Sequence, residues 1–213
     1  MFHGTTVYLA RHGETEWNVQ RRMQGHRDSP LTLRGVKQAL WLGETLSRVP
    51  LDAIYASSSG RALQTAEYIR GRRAIPVIAR DRLREMHLGT WEGMEQTFVQ
   101  ETYPEEYERF WRDPEACRPD GGESFDEVSR RALAELTDIV ASHRDRTVLI
   151  VTHTVVLKLL MAHFEGRPWN QLWDPPYIYP ACLCQIQFPS DGSRPDIALH
   201  GDISHYREPA AGH

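Results

Sequence analysis

Thr5-Thr6-Val7-Tyr8-Leu9-Ala10-Arg11-His12-Gly13 is the stretch on which the reading of this chain turns. Its first six residues are β-branched or apolar, and the run stops abruptly at Arg-His-Gly. A strand buried on both faces reads as such a continuous run and delivers its C-terminal end to a loop. Thr147 to Val151 (TVLIV) repeats the pattern more strongly and stops at Thr152-His153. Ala53 to Ala56 and Pro76 to Ala79 read as shorter strands, and Cys182 to Phe188 as the last one. Helical patterns lie between them. Thr32 is a plausible N-cap for a stripe through Leu33, Val36, Leu40, Gly43 and Leu46, which Pro50 closes. Ser57-Ser58-Ser59-Gly60 opens a helix to about Arg70. Ser124 and Glu127 form a capping box ahead of Phe125, Val128, Ala132, Leu136 and Ile139. Val155 to Phe164 is an apolar helix, and Arg167 to Pro180 is irregular. Strands alternating with helices predict an α/β protein, a three-layer α/β/α sandwich with a mostly parallel central sheet. No repeat or linker divides the chain, so residues 1–213 read as one domain.

Composition narrows the function classes. The chain has 213 residues, 29 acidic against 25 basic side chains, and a net charge of −4. Nucleic acids and anionic membranes call for a basic stripe, which this balance does not supply. A 40% hydrophobic content with 25% charged residues reads as globular. Three cysteines, Cys117, Cys182 and Cys184, are too few and odd in number for a disulfide framework, so reduced thiols in the cytoplasm are expected. No segment reads as a secretory signal or a bilayer span. Oligomeric state stays open, a homodimer included.

In open α/β sheets, ligands bind beyond the carboxyl ends of the strands. Arg11-His12, Ser57 to Arg61, and His153 all fall at such ends. Two guanidiniums and a helix N-terminus suit a phosphate group, and a histidine among them could attack phosphorus and carry the phosphoryl group. Each feature has a plainer reading. A lone histidine at a strand end is more often a hydrogen-bonded structural residue, and Arg61 could be a solvated charge. The ordered set is what shifts the balance.

That set runs Leu9-Ala10-Arg11-His12-Gly13-Glu14-Thr15-Glu16-Trp17-Asn18, then Gln24-Gly25-His26-Arg27-Asp28-Ser29-Pro30-Leu31-Thr32, Arg61-Ala62-Leu63-Gln64-Thr65-Ala66, Leu83 to Gly93 (LREMHLGTWEG), Gly121-Gly122-Glu123-Ser124 and Val151-Thr152-His153. It resembles the histidine phosphatase superfamily, in the phosphoglycerate mutase-like branch, and among its members most resembles the broad-specificity phosphatases. The resemblance implies a phosphomonoester hydrolase that needs neither metal nor other cofactor and acts on small phosphorylated molecules. It implies His12 as nucleophile, Glu85 as general acid and base, and Arg11, Arg61 and His153 around the phosphoryl oxygens. It places Asn18, Gln24, Gly25 and Thr154 at the substrate. His12 must be unprotonated at its attacking nitrogen, so a backbone carbonyl is expected at the other.

Two departures stand out. The family usually has glycine after its second histidine, where this chain has Thr154, a β-branched residue ill suited to a positive φ. The segment before Arg61 is Ser57-Ser58-Ser59-Gly60, where the family prefers Asp or Pro and then Leu. The mutases' Leu-Asn-Lys stretch and Arg-Arg pair are missing after Gly93, which reads Met94-Glu95-Gln96-Thr97. Hydrolysis is therefore favoured over mutase-type transfer. A non-catalytic phospholigand-binding scaffold is a weaker alternative, because nucleophile and acid are both present. A metalloenzyme is disfavoured by the lack of His-Glu-x-x-His and of Cys-x-x-Cys. Residues 91–122 read as a cap-like insertion over the active site. Within it Tyr103, Tyr107, Phe110 and Trp111 fall at helical spacing, more in keeping with packing than with substrate contact.

Overall fold

The computed structural model describes residues 3–208. Its strands are β1 (Gly4–Arg11), β2 (Ala53–Ser57), β3 (Val77–Arg80), β4 (Thr147–Thr152), β5 (Leu183–Pro189) and β6 (Asp196–Asp202). Its α-helices are α1 (Glu16–Val19), α2 (Leu33–Thr45), α3 (Gly60–Arg70), α4 (Gln96–Thr102), α5 (Pro104–Arg112), α6 (Phe125–Ser142) and α7 (Thr154–Glu165). The six strands form one sheet in the order β3-β2-β4-β1-β5-β6. The pairs β2–β3, β2–β4 and β1–β4 are parallel, and β1–β5 and β5–β6 are antiparallel.

Side-chain alternation along the strands builds the three layers. Val7, Leu9, Val148 and Ile150 pack with Phe125, Val128, Leu136, Val156 and Leu160 of α6 and α7. Ala10, Ile54, Ala56, Leu149 and Val151 pack on the other face with Ala39, Leu42, Ala62, Ala66 and Ile69 of α2 and α3. The expected sandwich is thus present. The helix starts follow their caps: Thr32 accepts the Gly35 N–H, and Ser124 and Glu127 bond reciprocally.

Two expectations are corrected. The buried face of α2 is Gly35, Gln38, Ala39 and Leu42, while Leu33 and Leu40 of the expected stripe are exposed. The strand from Leu183 is not the last, because β6 pairs antiparallel with it at the sheet edge. The β6 sequence Asp196-Ile197-Ala198-Leu199-His200-Gly201-Asp202 mixes polar and apolar residues as a partly wet edge strand does, and so lacks the apolar run that marks its neighbours. The aromatic segment behaves as packing. Trp91 and Phe110 are buried, and Phe110, Trp111, Phe125 and Trp173 lie with ring centroids 4.6–6.1 Å apart. The Trp173 indole N–H also donates to the Phe110 carbonyl at 2.8 Å, fastening α5 to the late irregular loop.

Candidate active site

β1 and β4 are parallel neighbours in register, Arg11 opposite Thr152, so their ends deliver His12 and His153 side by side. The two rings lie 5.1 Å apart, centroid to centroid, and both are buried. The His12 N–H donates to the Thr152 carbonyl at 2.9 Å, and the His12 carbonyl accepts from Ala181 at 3.0 Å. Its Nδ1 lies 2.7 Å from the Gly13 carbonyl. A carbonyl only accepts, so Nδ1 carries the ring hydrogen and Nε2 keeps the lone pair. Burial, reinforced by Arg61 and Arg11, holds the His12 pKa well below the usual imidazole value.

Backbone approach fixes this turn. The Gly13 N–H donates to Thr65 Oγ1 at 3.0 Å. A Cβ on Gly13 would stand 2.4 Å from the Gly35 carbonyl oxygen, so the turn and the start of α2 touch main chain to main chain.

Arg61 is fully buried in the first turn of α3. Its guanidinium donates to the carbonyls of Gly25 (2.8 Å) and Arg27 (2.8 Å) and to Asp28 Oδ1 (3.0 Å). Gly25 takes φ +56°, and a Cβ there would meet Glu92 Oε1 at 2.2 Å. Arg11 donates to the Ile178 carbonyl at 2.9 Å. Glu85 accepts from the N–H groups of Met86 (3.0 Å) and Val155 (3.3 Å). Burial nevertheless raises its pKa above the ordinary carboxylate value, against the pull of those bonds and of Arg61 and Arg11. A buried carboxyl of raised pKa is suited to hold a proton for a leaving oxygen.

His153 is lowered well below the ordinary imidazole value by burial first, then by Arg61, His12 and Arg11. Its Nε2 lies 2.8 Å from Ser57 Oγ and 3.3 Å from Ser59 Oγ. Asn18 closes the capping box of α1, its amide oxygen accepting from the Thr15 N–H and hydroxyl at 3.0 Å. Gln24 donates to the same Thr15 hydroxyl at 2.8 Å. Thr154 is the first residue of α7 and is absent from the non-glycine residues with positive φ, so the β-branched side chain meets no strain there.

His12, Arg11, Arg61, Glu85 and His153 therefore form one group; Gly25 joins it through its carbonyl on Arg61, and Gln24 and Asn18 meet at Thr15. Arg11 Nε and Arg61 Nε are buried donors, and His153 Nδ1 a buried ring nitrogen, with no partner among the described residues. Two guanidiniums with unpaired donors beside two imidazoles in one buried group suit an acceptor-rich anion. Among the described residues, no three of His, Cys, Asp and Glu stand close enough to share a metal ion.

Sequence reasoning passed over the residues that hold this group in place. Glu92 accepts three backbone N–H groups, from His26 (2.7 Å), Leu88 (3.1 Å) and Arg27 (3.1 Å), and so fixes the loop whose carbonyls grip Arg61. Arg131, on α6, donates to the carbonyls of Arg82, Arg84 and Glu85 and pairs with Glu123 at 2.8 Å. Glu92 and Glu123 both stand inside the quoted motifs, the one available signal. Arg131 carries none, because an arginine on a helix reads as a solvated charge.

Comparison with known proteins follows the same lines. The sequence profile of the histidine phosphatase superfamily (branch 1) matches residues 7–202. Phosphoserine phosphatase 1 of Hydrogenobacter thermophilus is 38% identical over 167 residues, 78% of this chain and 79% of that protein. The probable phosphoglycerate mutase GpmB of Proteus mirabilis is 39% identical over 166 residues, 76% of this chain and 75% of that one. Among solved structures, Bacillus stearothermophilus YhfR superimposes with a TM-score of 0.91 at 50% identity, covering 94% of this chain and 98% of that one.

Proposed function

Because the chain belongs to the histidine phosphatase superfamily and hydrolyses phosphomonoesters, we propose that His12 is the residue that attacks phosphorus and carries the phosphoryl group between the two halves of the reaction. The observation that carries this assignment is the 2.7 Å contact of Nδ1 with the Gly13 carbonyl, which leaves Nε2 as a lone pair beside two buried guanidiniums. Nε2 forms the N–P bond as the ester P–O bond breaks. The departing oxygen takes the Glu85 proton. Water then attacks phosphorus, returns a proton to Glu85, and breaks the N–P bond to release inorganic phosphate. Arg11, Arg61 and His153 hold the phosphoryl oxygens throughout, where charge spreads in the transition state. Asn18, Gln24, Gly25 and Thr154 border the ester side, and residues 91–122 act as the cap.

Hydrolysis rather than isomerisation is the outcome this reading expects. The segment after Gly93 offers no lysine, and the nearby cations are engaged: Arg22 by the Gly93 carbonyl at 2.6 Å and Glu95 at 3.1 Å, and Arg27 by the Glu92 carbonyl at 3.1 Å. The substrate is a small phosphomonoester. Three buried free thiols suit a reducing compartment, and we place the enzyme in the cytoplasm on that basis.

The test is to quench turnover of a phosphomonoester with denaturant and assay an acid-labile phosphoenzyme. The wild type should form it and His12→Ala should not, with turnover indifferent to EDTA. Phosphoenzyme on His12→Ala, or EDTA inactivation reversed by one metal, would overturn the assignment. A panel including phosphoglycerates, scored for phosphate release against isomerisation, separates hydrolase from mutase.

A further inference from the structure

Ser59 occupies the N-cap of α3 yet makes no side-chain capping bond, whereas Thr32 and Ser124 at the corresponding positions of α2 and α6 do. Its hydroxyl is turned instead toward His153 Nε2, at 3.3 Å, alongside that of Ser57 at 2.8 Å. Ser57 is fully buried and Ser59 nearly so, which keeps water from replacing either group. The two hydroxyls are 3.3 Å apart, and Ser57 Oγ accepts the Ser59 backbone N–H at 3.3 Å. On the other side of the ring, Nδ1 is buried and has no partner among the described residues.

We propose that Ser57 and Ser59 form a hydroxyl clamp that fixes the tautomer of His153, keeping its single hydrogen on Nδ1 and so making a neutral imidazole a donor to the phosphoryl group. This rests on the placement of His153 at the phosphoryl oxygens. A neutral imidazole has one N–H and one lone pair. With a carbonyl at Nε2 the hydrogen would be drawn there, leaving a lone pair at Nδ1 facing an anion. A hydroxyl can donate as well as accept: with the Ser59 hydroxyl turned to give its hydrogen across the 3.3 Å contact, Ser57 Oγ accepts from Ser59 and directs its own single hydrogen to Nε2. Both histidines thereby carry the same tautomer in opposite orientations. His12 turns its N–H to the protein and its lone pair to phosphorus; His153 turns its lone pair to the protein and its N–H to the phosphoryl oxygens. Ser57 and Ser59 are positioning residues, acting through His153.

The experiment records nitrogen spectra of protein labelled with [15N]histidine, with His153 assigned by its loss in His153→Gln, and measures inhibition by orthovanadate on the same samples. In the wild type the protonated His153 nitrogen should be Nδ1. Ser57→Ala should mix the tautomers and weaken vanadate inhibition about tenfold, the range for losing one hydrogen bond at a buried polar group. Ser57→Thr, which keeps the hydroxyl, should restore both, and Ser59→Ala should give a smaller change of the same sign. Hydrogen on Nε2 in the wild type, or an unchanged spectrum and inhibition in Ser57→Ala, overturns the clamp. If Ser57→Ala does not fold, the wild-type spectrum and Ser59→Ala decide. Phosphoenzyme formation is read separately, so a wild type that forms it with hydrogen on Nε2 refutes the clamp alone.

Discussion

Replacing Glu92 by glutamine removes one charge and one acceptor from a side chain that the fold uses three times. In the wild type, Oε1 accepts from His26 at 2.7 Å and Leu88 at 3.1 Å, and Oε2 from Arg27 at 3.1 Å. The residue is buried, so solvent does not screen these bonds. Hydrogen bonds to a charged group are worth about 1.5–3 kcal/mol each. Glutamine can keep its oxygen toward His26 and Leu88, at reduced strength, but its NH2 then faces the Arg27 N–H, donor against donor, and that N–H keeps only the Gln24 carbonyl at 3.1 Å. One bond lost outright and two weakened amount to about 3 kcal/mol. For a chain of this length that lowers Tm by roughly 6–12 °C. The same loop supplies the Gly25 and Arg27 carbonyls that hold Arg61. A shift approaching 1 Å there should lower kcat/KM by about 10²-fold. Urea unfolding followed by circular dichroism, with kcat/KM on an aryl phosphate well below the transition, measures both. A stability change under about 0.5 kcal/mol, the scale of an ordinary surface substitution, would refute the energetic argument. Lost stability with intact kcat/KM would refute the link to Arg61.

The pH dependence has a definite sign. On the proposed assignment, activity needs His12 unprotonated and Glu85 protonated, and the first has its pKa lowered and the second raised. The acid limb of kcat/KM should therefore lie below the ordinary imidazole range, and the alkaline limb, absent in Glu85→Gln, above the ordinary carboxylate range; an acid limb near pH 6.5 would contradict it. Stability should fall as pH drops below about 6.5, because unfolded His12 and His153 take up protons that the folded forms refuse. Glu85 opposes this, its raised pKa favouring the folded state as pH falls, so a Tm that climbs from pH 6.5 to 5 would show the histidine contribution to be the smaller. Arg131→Met removes the donor shared by the Arg82, Arg84 and Glu85 carbonyls and should reduce kcat about tenfold through Glu85. Unchanged kcat would leave Arg131 a purely structural residue.

Legibility in the sequence followed burial. Strands β1 and β4 announce themselves because both of their faces are covered, and His12 and His153 stand where those apolar runs stop. β6 escaped because an edge strand alternates and breaks its own pattern. Within the candidate site, the residues proposed to meet the ligand stand out as unusual residue types at strand ends. Their supports stand out less. Glu92 acts on main-chain N–H groups 65 and 66 positions away, and Arg131 on carbonyls 46–49 positions away, and a backbone carbonyl or N–H leaves no mark in a residue string. The reservation about Thr154 dissolved for a local reason: as the first residue of α7 it takes the helical backbone that any residue accepts.

Arg11 is steadied by a carbonyl, that of Ile178, and two of the three acceptors on Arg61 are carbonyls as well. A carbonyl orients a guanidinium without neutralising it, so most of the pocket's positive charge stands ready before any ester arrives. That readiness cannot tell a phosphoryl group still attached to its alcohol from one already set free. Inorganic phosphate is thus held by the same donors, and binding energy spent equally on both does not speed the chemistry. The enzyme should be restrained by its own product, and turnover in a phosphate-rich medium is governed by how fast the pocket empties.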